Sequence, residues 1–369
     1  MKILVVVASL HGGGAEYVAR TWMESLVARG HEVRAVLTGR AVDAEFLPAQ
    51  VDVRSLSGIA GQQGKVRALR DELRADGLDV AISLQMHSNL SLLAASRLLR
   101  KSQRPPIVVS ERNLVTLGLP QASASHRLKV ATAKRLYRRA DAVVAISHPV
   151  AAELVAGFGV SGKRVFVVPN PATAKVDANR REGSQPEAVR HRLDRLEIIL
   201  PCRLVTQKRP ALALATAAEL TRRGVPARVV SYGGGPLLES LVAQAATIGV
   251  DFEPRGWVER WYEQEPDDAT RVVVLPSIRE GFGNVLVEAA AAGIPSVAVS
   301  GALGVADALV PGLTGHLALT ERPADLADAV LAAAQVDVRR ADPWLERFSA
   351  EASSDLLEKV LARLVETRR

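Results

Sequence analysis

The chain has 369 residues, 48% of them hydrophobic and 24% charged, which is ordinary globular composition with apolar material for two cores. Its single cysteine, Cys202, excludes an internal disulfide framework and any multi-cysteine metal site, and fits a reducing compartment. A formal net charge of +7 points to an anionic partner: phosphate, nucleic acid or an acidic membrane surface.

Ile3–Ala8 is a continuous apolar run. It is followed by His11-Gly12-Gly13-Gly14 and not by a small-residue cleavage site, so it reads as a buried first strand and not as a leader. Ala15–Arg29 has helical spacing through Val18, Trp22 and Leu26 and stops at Gly30. His31–Leu37 reads as strand, Lys65–Ala75 as a charged helix, Asp79–Ser83 as strand and Asn89–Leu99 as helix. Ile107–Ser110 is strand, Ala124–Arg139 a basic helix, Asp141–Ile146 strand, then a helix from Pro149 and a strand over Val165–Val168. Strand and helix alternate with short connections, the pattern of a parallel, doubly wound sheet.

Residues 172–192 break the pattern: they are polar and lack an apolar period, as a linker does. Alternation then restarts. Glu197–Leu200, Ala227–Ser231, Val272–Leu275 and Ser296–Val299 read as strands, with helices over Ala211–Arg223, Pro236–Ile248 and Asn284–Ala292. Ala289–Ala306 is uncharged, but Gly293, Pro295, Gly301 and Gly304 make it a helix end, a turn and a strand, not a membrane span. The expected organisation is an α/β chain with a first domain over 1–171, a linker over 172–192 and a second domain over 193–345. A last helix over 349–366 is expected to pack back on the first domain.

Three segments carry chemistry. The glycine loop Gly12-Gly13-Gly14-Ala15-Glu16 follows strand one and opens a helix, where backbone N–H groups meet an anion. No acidic residue ends the second strand at Val36-Leu37-Thr38-Gly39, which argues against a dinucleotide cofactor. Arg203 and Lys208 follow the strand ending at Leu200 and suit a diphosphate leaving group. In Glu280-Gly281-Phe282-Gly283-Asn284-Val285 through Glu288, two carboxylates flank a glycine turn that feeds an apolar helix. Glu280 would lie in the loop facing a sugar, and Glu288 inside the helix, suited to a ribose diol.

Glu280 and Glu288, with seven residues between them, resemble the Glu-x7-Glu signature of retaining GT-B glycosyltransferases, and the whole chain is similar to glycosyltransferase family 4. The glycine loop resembles the family's own, and Val167-Val168-Pro169-Asn170-Pro171 its strand entering the interdomain hinge. Gly233-Gly234-Gly235-Pro236, Arg255-Gly256-Trp257-Val258 and Ala291-Ala292-Gly293-Ile294-Pro295 resemble further family segments. The sequence departs at Ser110-Glu111-Arg112-Asn113, where many relatives carry His, and at Asp307, which replaces a late Glu. That Ser-Glu-Arg-Asn run resembles a branch whose members often use UDP-sugars on lipid-linked or cell-surface glycans.

The resemblance implies two facing Rossmann-like domains with a cleft between them. The first takes the acceptor and the second takes the nucleotide-sugar. Glu280, Arg203 and Lys208 are the expected catalytic residues. Gly13, Gly14, Gly233, Gly256, Trp257, Val258, Gly281, Phe282, Gly283, Asn284, Val285 and Glu288 are expected at the donor, and His11, Glu16, His87, Glu111 and Arg112 at the acceptor. No metal and no cofactor are expected, since the cation pair replaces the metal and no Asp-x-Asp run stands in a suitable loop. The expected acceptor is a lipid-linked or envelope glycan, with a small aminocyclitol or other natural product as the alternative. A sugar-nucleotide epimerase or a non-enzymatic binding protein would share the architecture. The basic helix carries Arg127, Lys129, Lys134, Arg135, Arg138 and Arg139, with Leu128, Ala131 and Leu136 expected on its buried face. It suggests peripheral contact with an acidic membrane from the cytoplasmic side. It lacks the interleaved aromatics that would stack on nucleic-acid bases.

Overall fold

A computed structural model describes residues 1–11, 13–39, 50–75, 77–176, 195–264 and 269–368. The linker expected over 172–192 lies outside the described residues from 177 onward. The chain divides into two compact units, Met1–Pro171 with Ser349–Arg369, and Ala172–Phe348.

Unit 1 holds a seven-stranded sheet of β1 (Lys2–Val7), β2 (Glu32–Leu37), β3 (Asp52–Ser55), β4 (Val80–Leu84), β5 (Ile107–Glu111), β6 (Ala142–Ala145) and β7 (Val165–Val167). All pairs are parallel, in the order β3-β2-β1-β4-β5-β6-β7. Parallel strands covered on both faces need no polar side, which is why β1 reads as an unbroken Ile-Leu-Val run. The helices that cover them are α1 (Gly14–Ala28), α2 (Gly61–Leu73), α3 (Met86–Ser96), α4 (Ala124–Tyr137) and α5 (His148–Ala156). Ser123 and Ser147 cap α4 and α5 by accepting from His126 N and Val150 N. The helix Ala350–Glu366 belongs to this unit, with Leu357, Val360, Leu361 and Val365 in the same core as Val18, Trp22 and Leu26 of α1.

Unit 2 holds six parallel strands in the order β10-β9-β8-β11-β12-β13. They are β8 (Leu196–Leu200), β9 (Ala227–Ser231), β10 (Phe252–Pro254), β11 (Thr270–Leu275), β12 (Ser296–Val299) and β13 (Gly315–Ala318). Helices Pro210–Arg222, Leu238–Ile248, Asn284–Ala291 and Pro323–Ala333 accompany them. In each sheet the strand order reverses once, between β1 and β4 in unit 1 and between β8 and β11 in unit 2. The crevice outside such a switch point is where doubly wound sheets bind ligands.

The edge strands β3, β10 and β13 and the helix Pro323–Ala333 add to the elements expected from the sequence, and two expectations for α4 are corrected. In α4, Leu128 is 70% exposed and Ala131 is exposed, so neither faces the core. The buried face is Val130, Ala133, Leu136 and Tyr137, which the helical period groups on one side.

Candidate active site

The switch point of unit 2 carries the site. The loop after β8 contains Arg203 and Lys208, and the loop after β11 contains Glu280. A backbone bond and a side-chain bond sew the two loops together: Ile278 N donates to Gln207 O at 2.9 Å, and Gln207 Nε2 donates to Arg279 O at 3.1 Å. Arg209, in the left-handed region at φ 48°, turns back and donates Nε to Pro276 O at 2.7 Å. The result is a Lys208 Nζ–Glu280 Oε1 ion pair of 2.5 Å, with both side chains largely buried. Arg203 is exposed and makes no ion pair among the described residues. Cys202 lies where all three charges are felt, and burial pushes its thiol up to about 11, so it is an inert wall and not a nucleophile.

A third loop buttresses Glu280. Glu280 N donates to Ala302 O at 3.0 Å, and a Cβ on Gly304 would stand 2.2 Å from Glu280 O. Gln207, Arg209 and Gly304 are thus functional neighbours that motif reading missed. Only Gly304 left a signal, as one of the glycines breaking the apolar run after β12.

The other donor candidates separate into distinct places. Gly283 sits at φ +107° as the N-cap of Asn284–Ala291, which has no side-chain cap, so Gly281, Phe282 and Gly283 deliver the helix N-terminus beside Glu280. Phe282 is buried against Phe348. Asn284 and Val285 are half-buried in the first turn. Glu288 does not meet Lys208; its carboxylate takes a hydrogen bond from Trp261 and feels Lys175, while burial holds its pKa above the ordinary value. Gly233 is buried, and a Cβ there would stand 2.1 Å from the Cys202 carbonyl, so its role is to let the Arg203 loop close. Gly256 turns at φ +69° to present Trp257, 70% exposed, with Val258 half-buried beside it.

The acceptor candidates lie at the carboxyl edge of unit 1. His11 and Gly13 are exposed in the loop after β1, and Gly14 is exposed as the first residue of α1. Gln85, at φ 70°, donates Nε2 to Glu16 Oε1 at 3.2 Å and so ties the residue ahead of α3 to the first turn of α1 across the switch point. His87 is half-buried, with its pKa held below the usual value by burial and then by Lys129 and Lys65. Glu111 and Arg112, also expected at the acceptor, are only 1% and 5% exposed. Glu111 accepts from Tyr137 Oη at 2.8 Å and from Arg112 N at 2.9 Å.

Burial raises the Glu111 pKa from 4.5 to about 7 against the hydrogen bonds from Tyr137, Arg112 and Asn113. Between those two values the folded chain keeps a proton that the unfolded chain has released, so stability falls as pH rises through this window. A shift of that size corresponds to about 3 kcal/mol. Glu111→Gln is expected to flatten the fall in melting temperature between about pH 4.5 and 7. An unchanged slope in the variant would place the titration elsewhere.

Residues 12–174 match the family described as Glycosyltransferase Family 4, and residues 195–335 match Glycosyl transferases group 1. The chain carries both of these glycosyltransferase family domains, one after the other. A relative from Kribbella flavida, named D-inositol 3-phosphate glycosyltransferase, is 31% identical over 217 residues, 54% of this chain and 50% of that one. The chain thus spans about half the length of the curated relatives it matches. The lipopolysaccharide outer core galactosyltransferase WaaB, in its apo form, superposes with a TM-score of 0.77 at 20% identity, covering 98% of this chain and 99% of that one. HepE from Anabaena, solved in complex with UDP, gives 0.73 at 17% identity, covering 98% and 100%. These likenesses place the chain in the GT-B fold class, with two Rossmann-like units. No helix among the described residues is long and apolar enough to cross a membrane.

Proposed function

We propose that this chain moves a hexose or N-acetylhexosamine from a UDP-sugar to an acceptor hydroxyl, retaining the anomeric configuration and using no metal. The carrying observation is the Lys208–Glu280 pair at the β8/β11 switch point, with Arg203 exposed on the same loop as Lys208. The bond between the anomeric carbon and the phosphate oxygen breaks, and its electrons go to the diphosphate, where Lys208 and Arg203 meet the growing charge. The acceptor oxygen forms the new glycosidic bond, and its proton passes to the departing phosphate oxygen. Glu280 holds the sugar hydroxyls and Glu288 the ribose. UDP is favoured because HepE was solved with it.

Thermal shift with UDP-, GDP- and ADP-sugars tests the reading without an acceptor. Saturating UDP-sugar is expected to raise the melting temperature, as ligand at 100 times Kd adds about 2.7 kcal/mol. No stabilisation by any nucleotide-sugar would overturn it. A product released without an acceptor, as an isomerised nucleotide-sugar, would instead indicate an epimerase.

For the acceptor we propose a lipid-linked or envelope glycan, met at an acidic membrane surface. In α4, Arg127, Lys129 and Arg135 are exposed beside Leu128, and the helix sequence contains no acidic residue. Such a face suits anionic headgroups with an apolar side chain entering the interface. Binding to vesicles is expected to require acidic lipid and to weaken as salt shortens the Debye length to about 8 Å at 0.15 M. Lys129→Glu with Arg135→Glu should abolish it, and equal binding to neutral vesicles would refute it. A phosphorylated cyclitol is the second reading. Lys65 and Lys129 act together on His87 at the edge of unit 1, and the Kribbella flavida relative is named for D-inositol 3-phosphate.

A further inference from the structure

Unit 1 buries a polar cluster that the proposed chemistry does not use. The Arg112 guanidinium lies 5.1 Å from the ring centroid of Trp22, on the helix that the glycine loop opens. Its Nη1 donates to Ser110 Oγ at 3.2 Å, and its Nη2 donates to Asn170 Oδ1. Asn170, itself 3% exposed, is one residue short of the point where the chain leaves unit 1. The returning chain meets the same cluster. Ser353 Oγ accepts from Trp22 Nε1 at 2.9 Å and donates to Pro169 O at 2.6 Å. One buried group of residues therefore holds the exit segment, the first turn of the return helix and the glycine-loop helix.

Burying an arginine costs several kcal/mol unless its fork is well used, so a merely space-filling role would be met by an apolar residue. Here desolvation lowers the Arg112 pKa to about 9, and its Nε has no partner among the described residues. What the arginine offers in return is a planar fork reaching two elements while its face stacks on a third. A buried polar cluster of this kind fixes one arrangement of the segments that share it.

We propose that Arg112 is a positioning residue for sugar transfer, clasping the exit segment Pro169–Asn170 to the glycine-loop helix through Asn170 and Trp22. The idea rests on the transferase reading only for its kinetic consequence. It assigns Arg112 no contact with donor or acceptor. Glycine-loop placement within unit 1 depends on the clasp, while nucleotide binding by unit 2 does not.

The test uses the full chain with Arg112→Ala, Asn170→Ala and the double variant. Hydrogen exchange is expected to rise in both single variants over residues 13–22 and 165–171 and to stay unchanged in unit 2. With the donor and acceptor proposed above, kcat should fall about tenfold to 10²-fold, the scale of a small misplacement, with UDP affinity within about twofold of wild type. The double variant should be no worse than Arg112→Ala, because one coupled pair is lost once. Arg112→Lys should recover little, since a single ammonium cannot reproduce the fork. If Arg112→Ala does not fold, Asn170→Ala alone carries the test, because it leaves Arg112 its Ser110 and Trp22 contacts. Unchanged exchange at residues 165–171, additive kinetic losses, or an equal loss of UDP affinity would overturn the clasp. Failure of the wild type to bind UDP would instead strike the transferase reading, and exchange would still decide the clasp.

Discussion

Lys208→Ala is expected to lower turnover by about 10²-fold or more, close to 2.7 kcal/mol of lost transition-state stabilisation. Two effects combine in that variant, and the structure separates them. Lys208 is paired with Glu280 at 2.5 Å, so its removal strands a buried carboxylate as well as emptying the diphosphate clamp. Breaking such a pair costs about 3–5 kcal/mol of stability. The double variant Lys208→Ala, Glu280→Gln should regain much of the stability while activity stays lost. Arg203→Ala isolates the clamp, since Arg203 is exposed and pairs with nothing among the described residues. It should melt like the wild type and still lose about 10²-fold in kcat. Addition of EDTA should leave the wild-type rate unchanged. Loss on chelation, restored by Mg²⁺ or Mn²⁺, would mean a metal and not the cation pair neutralises the leaving group. Normal kinetics in both single variants would remove the clamp altogether.

The parts legible in the sequence were those whose chemistry is local. Val- and Ile-rich runs mark the central strands β1, β8 and β11, because strands buried on both faces carry few polar positions, such as Glu197 in β8 and Thr270 and Arg271 in β11. The edge strands failed this test: β3 is Asp-Val-Arg-Ser and mostly exposed, and β13 is Gly-His-Leu-Ala. Their membership in a sheet is fixed by pairing partners, not by their own pattern. The helix Pro323–Ala333 was readable, with Pro at its first turn and Leu326 and Val330 four apart, and went unread. At the site, motif spacing found Lys208 and Glu280 but could not say that they touch, since 72 residues separate them and only the β8–β11 adjacency brings them together. Glu111 and Arg112 looked like loop residues for an acceptor because polar side chains at strand ends usually face solvent. Tyr137 and Asn170, distant in sequence, supply the partners that let them be buried.

The stereochemical outcome tests the proposed chemistry most directly. An α-linked nucleotide-sugar is expected to give an α-linked product, read from the anomeric proton coupling of the purified glycoside. An inverting enzyme would need a base within hydrogen-bond reach of the acceptor hydroxyl, on the side of the sugar away from the diphosphate. Glu280 is the carboxylate beside the clamp, and its Oε1 is already taken by Lys208, the cation proposed to face the leaving group. A carboxylate bound to that ammonium sits on the leaving-group side and is a poor proton acceptor for attack from the opposite face. Attack and departure would then share one face, with the diphosphate taking the proton. Glu280→Gln keeps the shape and a hydrogen-bonding oxygen but loses the charge. It should therefore bind UDP close to wild-type affinity, because the nucleotide is held elsewhere, while transfer falls at least about tenfold, or 1.4 kcal/mol. A β-linked product from an α-linked donor would show that another group acts as base behind the anomeric carbon. The fold would stand, and the roles given to Glu280 and the departing phosphate would not.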